Sequence, residues 1–151
     1  MSILSRLTGA SAIAAALLAG MPALAHEGAS GIIKERMDAM GIMAKAMKDA
    51  SRRIEANRNL AAIKADAEKI SAIAPKIPGC FPPGSTQPPT DAKAEIWQRW
   101  DEFQTLAQRL RTESEALAAA AANGDPKAIG EQFRVLGRAC TACHEPFRAK
   151  R

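Results

Sequence analysis

Cys140-Thr141-Ala142-Cys143-His144 lies near the carboxyl end of this 151-residue chain. Residues three positions apart on a helix share one face, so the thiols of Cys140 and Cys143 would point the same way. A C-x-x-C-H sequence is the attachment signature of c-type haem, in which two thiols bond the porphyrin edge and the adjacent imidazole ligates the iron. The motif predicts one covalent haem c, held by thioethers at Cys140 and Cys143 and ligated on its proximal side by His144.

Two other chemistries fit parts of this motif less well. A redox disulfide between Cys140 and Cys143 would normally follow a strand and open a helix, whereas the motif lies near the end of the last predicted helix. A structural zinc site needs four ligands, and beyond the motif only Cys80 is plausible. We expect Cys80 to be a free thiol, and His26 to lie in a disordered terminus far from the motif.

Helix-forming residues dominate the chain outward from the motif, and β-branched runs are missing. Apolar residues recur at helical spacing and predict helices over residues 31–53, 58–74, 91–123 and 126–149. Thr90 or Asp91 could cap the third helix, Asn123-Gly124 ends it, and Asp125-Pro126 opens the fourth. Five prolines between residues 78 and 89 make that segment a connector. The pattern predicts an all-α, antiparallel four-helix bundle, a fold that places cofactors between facing helices.

The aromatic side chains fall mainly on the same helical stripes as the aliphatic core. Side chains at such spacing are usually core or pocket wall, so we expect packing roles and not electron relays. These residues are Trp97, Trp100, Phe103, Phe133 and Phe147.

The first 25 residues have the pattern of an export signal. Arg6 precedes an apolar run that is too short to span a bilayer comfortably, and Ala23-Leu24-Ala25 matches a cleavage site. We therefore expect residues 1–25 to be removed, leaving one exported, periplasmic domain over residues 26–151 without a membrane span. The net charge is +5, and the charges alternate in sign along the helices, so no nucleic-acid footprint is indicated.

The placement of the motif resembles that of the class II cytochromes c, which carry C-x-x-C-H near the C-terminus of an exported helical chain. The similarity covers nearly all of residues 26–151. It includes Ile33-Lys34-x-Arg36-x-x-x-Met40, Phe81-Pro82 with Ser85, and Ile96-Trp97. It also includes Cys140-x-x-Cys143-His144-Glu145-x-Phe147-Arg148, the most specific group.

This resemblance implies one of two kinds of iron site. In cytochromes c′ the iron is five-coordinate and an apolar side chain of the first helix crowds its vacant face, whereas in a low-spin branch a Met at that position is the sixth ligand. The matching residue here is Met40, four positions after Arg36. Met37 stands where cytochromes c′ often carry Gln, so Met40 is expected to ligate the iron. Arg148 matches a basic residue near the proximal imidazole.

Three functions are compatible with these residues. We expect one-electron transfer between redox partner proteins, without transformation of a substrate by this chain, so that it is not an enzyme. The alternative is a five-coordinate cytochrome c′ that binds nitric oxide or carbon monoxide. A helical adaptor without a cofactor is disfavoured by the attachment motif. Members of the family are often dimers through their first two helices, which makes a homodimer a further expectation.

Cleavage after Ala25 would give a mature chain that begins at His26, because small residues stand at positions 23 and 25 behind the apolar run. Intact-mass measurement of protein isolated from the periplasm checks this expectation. A mass corresponding to a chain that retains Met1 would contradict it.

Overall fold

The computed structural model describes residues 29–150, and within that range helices account for most of the chain. Its four long helices are α1, α2, α4 and α5, and a single short turn, α3, precedes α4. The bounds are α1 Gly31–Glu55, α2 Ala62–Ile73, α3 Glu95–Gln98, α4 Trp100–Asn123 and α5 Pro126–Phe147. This architecture confirms the predicted all-α four-helix bundle.

Each of the four long helices packs against two neighbours, and the four helix–helix interfaces differ in extent. α2 packs against α1 and α4, and α4 packs against α5, while α1 and α5 touch only slightly. The core between them is formed mostly by aliphatic side chains and alanine. Its least exposed large members are Ile63, Ile70, Ile96, Phe103, Leu117, Ile129 and Leu136. The edge between α1 and α5 is consequently the least closed side of the bundle.

The junction between α4 and α5 agrees with the sequence prediction. Gly124 adopts φ +78° after the last residue of α4, a left-handed conformation that glycine accepts without a steric penalty. The carboxylate of Asp125 then accepts a hydrogen bond from the backbone N–H of Lys127 at 3.0 Å, and Pro126 is the first residue of α5. This short turn fixes the two helices as antiparallel neighbours.

The second helix begins later than predicted. The sequence pattern suggested a start near Arg58, but α2 begins at Ala62. Asn57 and Asn59 have φ values of +44° and +54°, in the left-handed region that asparagine tolerates better than most residues. These two positions turn the chain between α1 and α2 and prevent helix from forming there.

The prediction of the third helix was wrong over residues 91–94, and the helix is interrupted at Arg99. Arg99, at φ −124° and ψ 48°, separates α3 from α4, and neither Thr90 nor Asp91 caps a helix. Instead residues 91–93 run extended beside residues 147–149 and form a bridge between Ala92 and Arg148. We call this pairing of residues 91–93 with 147–149 the clasp.

Two backbone hydrogen bonds hold the clasp. Lys93 N–H donates to the carbonyl of Phe147 at 3.0 Å, and Ala149 N–H donates to the carbonyl of Asp91 at 2.8 Å. Paired extended backbone cannot also be helical, which explains why the third helix starts late. It also explains why α5 ends at Phe147 and not near residue 149 as predicted.

The connector between α2 and α3 is ordered by a buried arginine of α1. Arg36 is 4% exposed, and its Nε donates to the carbonyl of Cys80 at 3.1 Å. Its Nη1 donates to the carbonyl of Ser85 at 3.1 Å and to Oγ1 of Thr90 at 3.0 Å, while Nη2 donates to Oγ of Ser85. The guanidinium also lies 3.9 Å from the centre of the Phe81 ring. One side chain therefore ties the first helix to four residues of the connector.

No helix within residues 29–150 is long and apolar enough to cross a membrane. The predicted signal segment, its cleavage site and His26 lie outside the described residues.

Replacing Arg36 with Gln should lower the free energy of unfolding by about 3 kcal/mol, because charge-assisted hydrogen bonds are lost while their buried acceptors remain. Urea unfolding of the haem-loaded protein, followed by helical circular dichroism, measures the change.

Arg111→Gln is the matched control, since Arg111 pairs with Glu115 at 2.8 Å on the surface. Such exposed pairs contribute about 0.5 kcal/mol. Equal losses in the two variants would contradict the role assigned to Arg36.

Candidate haem site

The two thiols of the C-x-x-C-H motif lie side by side on the inner stripe of α5. Leu136 and Ala139 are fully buried just before the motif, and Phe147 is 3% exposed just after it. Cys140 and Cys143 are half-buried between these anchors and pack against the core cluster. Side chains on the inner face of α5 are therefore buried before and after the motif, and partly exposed to solvent at the two thiols.

The protonation state of these thiols disfavours redox chemistry at the motif. Burial raises the pKa of Cys140, and burial with smaller contributions from Cys140 and Glu102 raises the pKa of Cys143 to about 11. A nucleophilic cysteine of the thioredoxin type needs a lowered pKa so that thiolate is present near neutral pH. No disulfide joins Cys140 to Cys143. Two thiols with raised pKa values are poorly suited to disulfide exchange.

The imidazole of His144 has a lowered pKa. The residue is exposed at the surface of α5, next to Cys143. Partial desolvation of the ring lowers the pKa of His144, and the nearby guanidinium of Arg148 lowers it further. The neutral imidazole is favoured, and this is the form with a free nitrogen lone pair for a metal.

Met40 lies on α1 and, like the two motif cysteines, is a partly buried side chain at the edge of the core cluster. The residues one turn to either side on the same stripe, Arg36 and Met43, are buried at 4% and 8% exposure. Met40 is only half-buried and packs against the edge of the core cluster. Large apolar side chains are thus incompletely covered on α1 and on α5, along the edge where these helices touch least. The residues present fit a flat, apolar group inserted between the two helices.

The end of α5 carries charged groups that border the motif. Nη2 of Arg148 lies 3.4 Å from Oδ2 of Asp91, and Nζ of Lys93 donates to the carbonyl of Pro146 at 2.9 Å. The sequence pattern presents Asp91 only as a possible helix cap and gives no sign of this contact. No local pattern could have revealed it, because 57 positions separate the paired residues.

Aromatic rings support the motif from inside the bundle. Phe103 meets Phe147 edge to face at 5.4 Å between centroids and Phe81 at 4.9 Å, and Trp100 lies 5.6 Å from Phe103. Nε1 of Trp97 donates to the carbonyl of Phe81 at 2.9 Å. These contacts agree with the predicted packing role of Trp97, Trp100, Phe103 and Phe147, and Phe133 also packs against the core cluster.

Within the described part of the chain, no three His, Cys, Asp or Glu side chains converge in a way that could hold a metal ion. Cys80 is a half-buried free thiol in the connector, as predicted, and burial raises its pKa.

Sequence comparison connects this arrangement to characterised proteins. The family model described as cytochrome C′ matches residues 31–148. A cytochrome c′ from Pararhodospirillum photometricum is 41% identical over 83 residues, which cover 54% of this chain and 66% of that protein. The match therefore spans slightly less than two thirds of that relative. A cytochrome c-556 from Agrobacterium fabrum is 31% identical over 121 residues, covering 80% of this chain and 78% of the relative.

Solved structures have the same fold. Cytochrome c′ from Thermochromatium tepidum superposes with a TM-score of 0.74 at 33% identity, covering 79% of this chain and 95% of that one. A nitric oxide complex of a cytochrome c prime variant from Alcaligenes xylosoxidans gives a TM-score of 0.70 at 28% identity, with coverage of 79% and 94%. These comparisons do not support the low-spin branch that the sequence analysis favoured. The chain belongs to the cytochrome c′ family, whose members carry one covalently attached haem c.

Proposed function

We propose that this chain is a periplasmic monohaem cytochrome c′ that binds nitric oxide or carbon monoxide at a five-coordinate iron. The observation that carries this proposal is the nitric oxide complex of the Alcaligenes xylosoxidans relative, which shares the fold over 94% of its length. The fold shared with this nitric oxide complex supports gas binding better than it supports electron transfer. No substrate is transformed by the chain, so we propose a binding protein and not an enzyme.

The chain's own residues have distinct tasks in this proposal. Cys140 and Cys143 form the two thioether bonds, and their positions one turn apart on α5 fix the cofactor's edge. His144 supplies a neutral imidazole as the proximal ligand, a state favoured by desolvation and by Arg148. The haem iron, when bound, supplies the coordination position for the gas.

Met40 would line the face opposite His144. Its neighbours on the stripe, Arg36 and Met43, are buried and hold the α1 backbone in place at this position. An apolar thioether side chain beside the iron would exclude water and favour a small neutral ligand such as carbon monoxide. The side chain would therefore act as a steric filter on the open face.

Electron transfer through a six-coordinate iron is the second candidate, and the half-exposed position of Met40 favours it. The same sulfur could ligate the iron opposite His144, a pairing that raises the reduction potential. Met37, which stands where cytochromes c′ often carry Gln, also favours this candidate. In that case the partners would be redox proteins.

The cellular setting is part of the same proposal. Attachment of haem c to an exported domain over residues 26–151 would follow removal of residues 1–25, and the protein would work in the periplasm. A homodimer through α1 and α2 stays a prediction from the family resemblance.

Covalent attachment predicts that acid–acetone extraction leaves the haem on the polypeptide. Cys140→Ala and Cys143→Ala should each remove one thioether bond, and the double variant should release all of the haem on extraction. Cys80→Ala, the matched control, should retain it. Haem that extracts freely from the unaltered chain would contradict the assignment of Cys140 and Cys143.

The coordination number decides between the two functions. We expect a high-spin ferric spectrum and rapid carbon monoxide binding by the ferrous protein, with Met40→Ala increasing the association rate about tenfold through loss of steric crowding, an effect of about 1.4 kcal/mol. Stopped-flow absorbance measures this rate.

Met37→Leu is the control for Met40→Ala, since both residues are half-buried methionines of α1. A low-spin ferric spectrum with a sulfur–iron charge-transfer band, lost in Met40→Ala but kept in Met37→Leu, would replace the gas-binding proposal with electron transfer.

A further inference from the structure

We propose that Asp91 is a positioning residue for the haem site, which holds the guanidinium of Arg148 in the clasp and so limits the effect of that charge on His144. The inference rests on the proposed haem attachment through α5. It concerns residue 91 of the connector, 53 positions before His144 in the chain, and not the motif itself.

The ion pair is the first observation. Oδ2 of Asp91 lies 3.4 Å from Nη2 of Arg148, with side chains 24% and 50% exposed. Because both groups retain contact with solvent, water screens their attraction and the pair alone would position the guanidinium weakly. Some further constraint is needed to keep the two groups together.

The clasp supplies that constraint on both sides of the pair. The carbonyl of Asp91 accepts from Ala149 N–H at 2.8 Å, and Lys93 N–H donates to the carbonyl of Phe147 at 3.0 Å. Backbone atoms next to each charged residue are thus bonded to the opposite segment. The side chains of Asp91 and Arg148 meet without an additional loss of backbone entropy.

Two other cations near this end of the bundle, Lys93 and Arg99, have partners of their own. Lys93 lies 3.2 Å from Glu95, and Arg99 forms a two-bond pair with Glu102 while its guanidinium lies 5.3 Å from the Phe147 ring. Asp91 is the carboxylate that pairs with Arg148 among the described residues.

Arg148 is close enough to influence the proximal ligand. Its backbone N–H donates to the carbonyl of His144 at 3.0 Å, so the two residues lie one helical turn apart at the end of α5. A positive charge one turn from His144 would stabilise the less positive, reduced state of an iron bound there. Asp91 limits that effect by keeping the guanidinium beside the connector.

Asp91→Asn in the haem-loaded protein tests the inference. The substitution keeps the shape of the side chain but removes the ion pair that holds Arg148, so the midpoint potential should shift upward, and more at low than at high ionic strength. Asp91→Glu should restore most of the original value. Glu115→Gln, which removes a carboxylate from the surface pair with Arg111, is the matched control and should leave the potential unchanged.

A double-variant cycle then separates positioning from a direct effect of Asp91. In an Arg148→Gln background, Asp91→Asn should shift the potential much less than it does in the unaltered chain, because the residue acts through Arg148. An equal shift in both backgrounds, or a shift no larger than that of Glu115→Gln, would overturn the inference.

The potential can be measured for either coordination number. A six-coordinate iron would therefore defeat the gas-binding proposal while leaving the test of Asp91 intact.

Discussion

The fold depends first on the burial of one positive charge, the guanidinium of Arg36. No carboxylate pairs with this group within residues 29–150, and it is stabilised by oxygen acceptors of the connector and by the face of Phe81. Arginine has five donors in a fixed planar arrangement and stays charged in proteins, so its burial requires those acceptors to be in place. The proline-rich connector consequently has one conformation in which the charge is satisfied. Arg36 thereby also positions Thr90, the residue immediately before the clasp.

Contacts between aromatic rings connect the ordered connector to the helix that carries the haem motif. Phe81 contacts Phe103, and Phe103 contacts Phe147, one turn after His144. Rings that meet edge to face resist sliding, because both their shape and their quadrupoles favour the observed angle. The clasp holds the same end of α5 through backbone hydrogen bonds. The inner side and the end of the motif helix are therefore held by the protein's own contacts, while few contacts join this helix to α1.

Local chemistry allowed the helices, the α4–α5 turn and the attachment motif to be predicted from the sequence. Gly124, Asp125 and Pro126 each satisfy a requirement of neighbouring backbone, and the cysteine spacing follows from the helical repeat. The errors arose where distant segments compete with local preference. Asp91 has the chemistry of a helix cap, but pairing with residues 147–149 satisfies its backbone better. The buried position and hydrogen bonds of Arg36 could not be predicted from local sequence, because its acceptors lie 44 to 54 positions away.

The two candidate functions differ in whether the side chain of Met40 can reach the haem iron. Buried neighbours at Arg36 and Met43 fix the backbone of α1 on both sides of Met40, so a coordination change cannot come from movement of the helix alone. Methionine, however, has three rotatable bonds and tolerates several packings at little cost. Whether the sulfur of Met40 ligates the iron then depends on two free energies. One is that of the sulfur–iron bond, and the other is that of packing the Met40 side chain between α1 and α5. Covalent attachment and the proximal imidazole are common to both outcomes, and only the position of one thioether sulfur separates a gas-binding haem from an electron carrier.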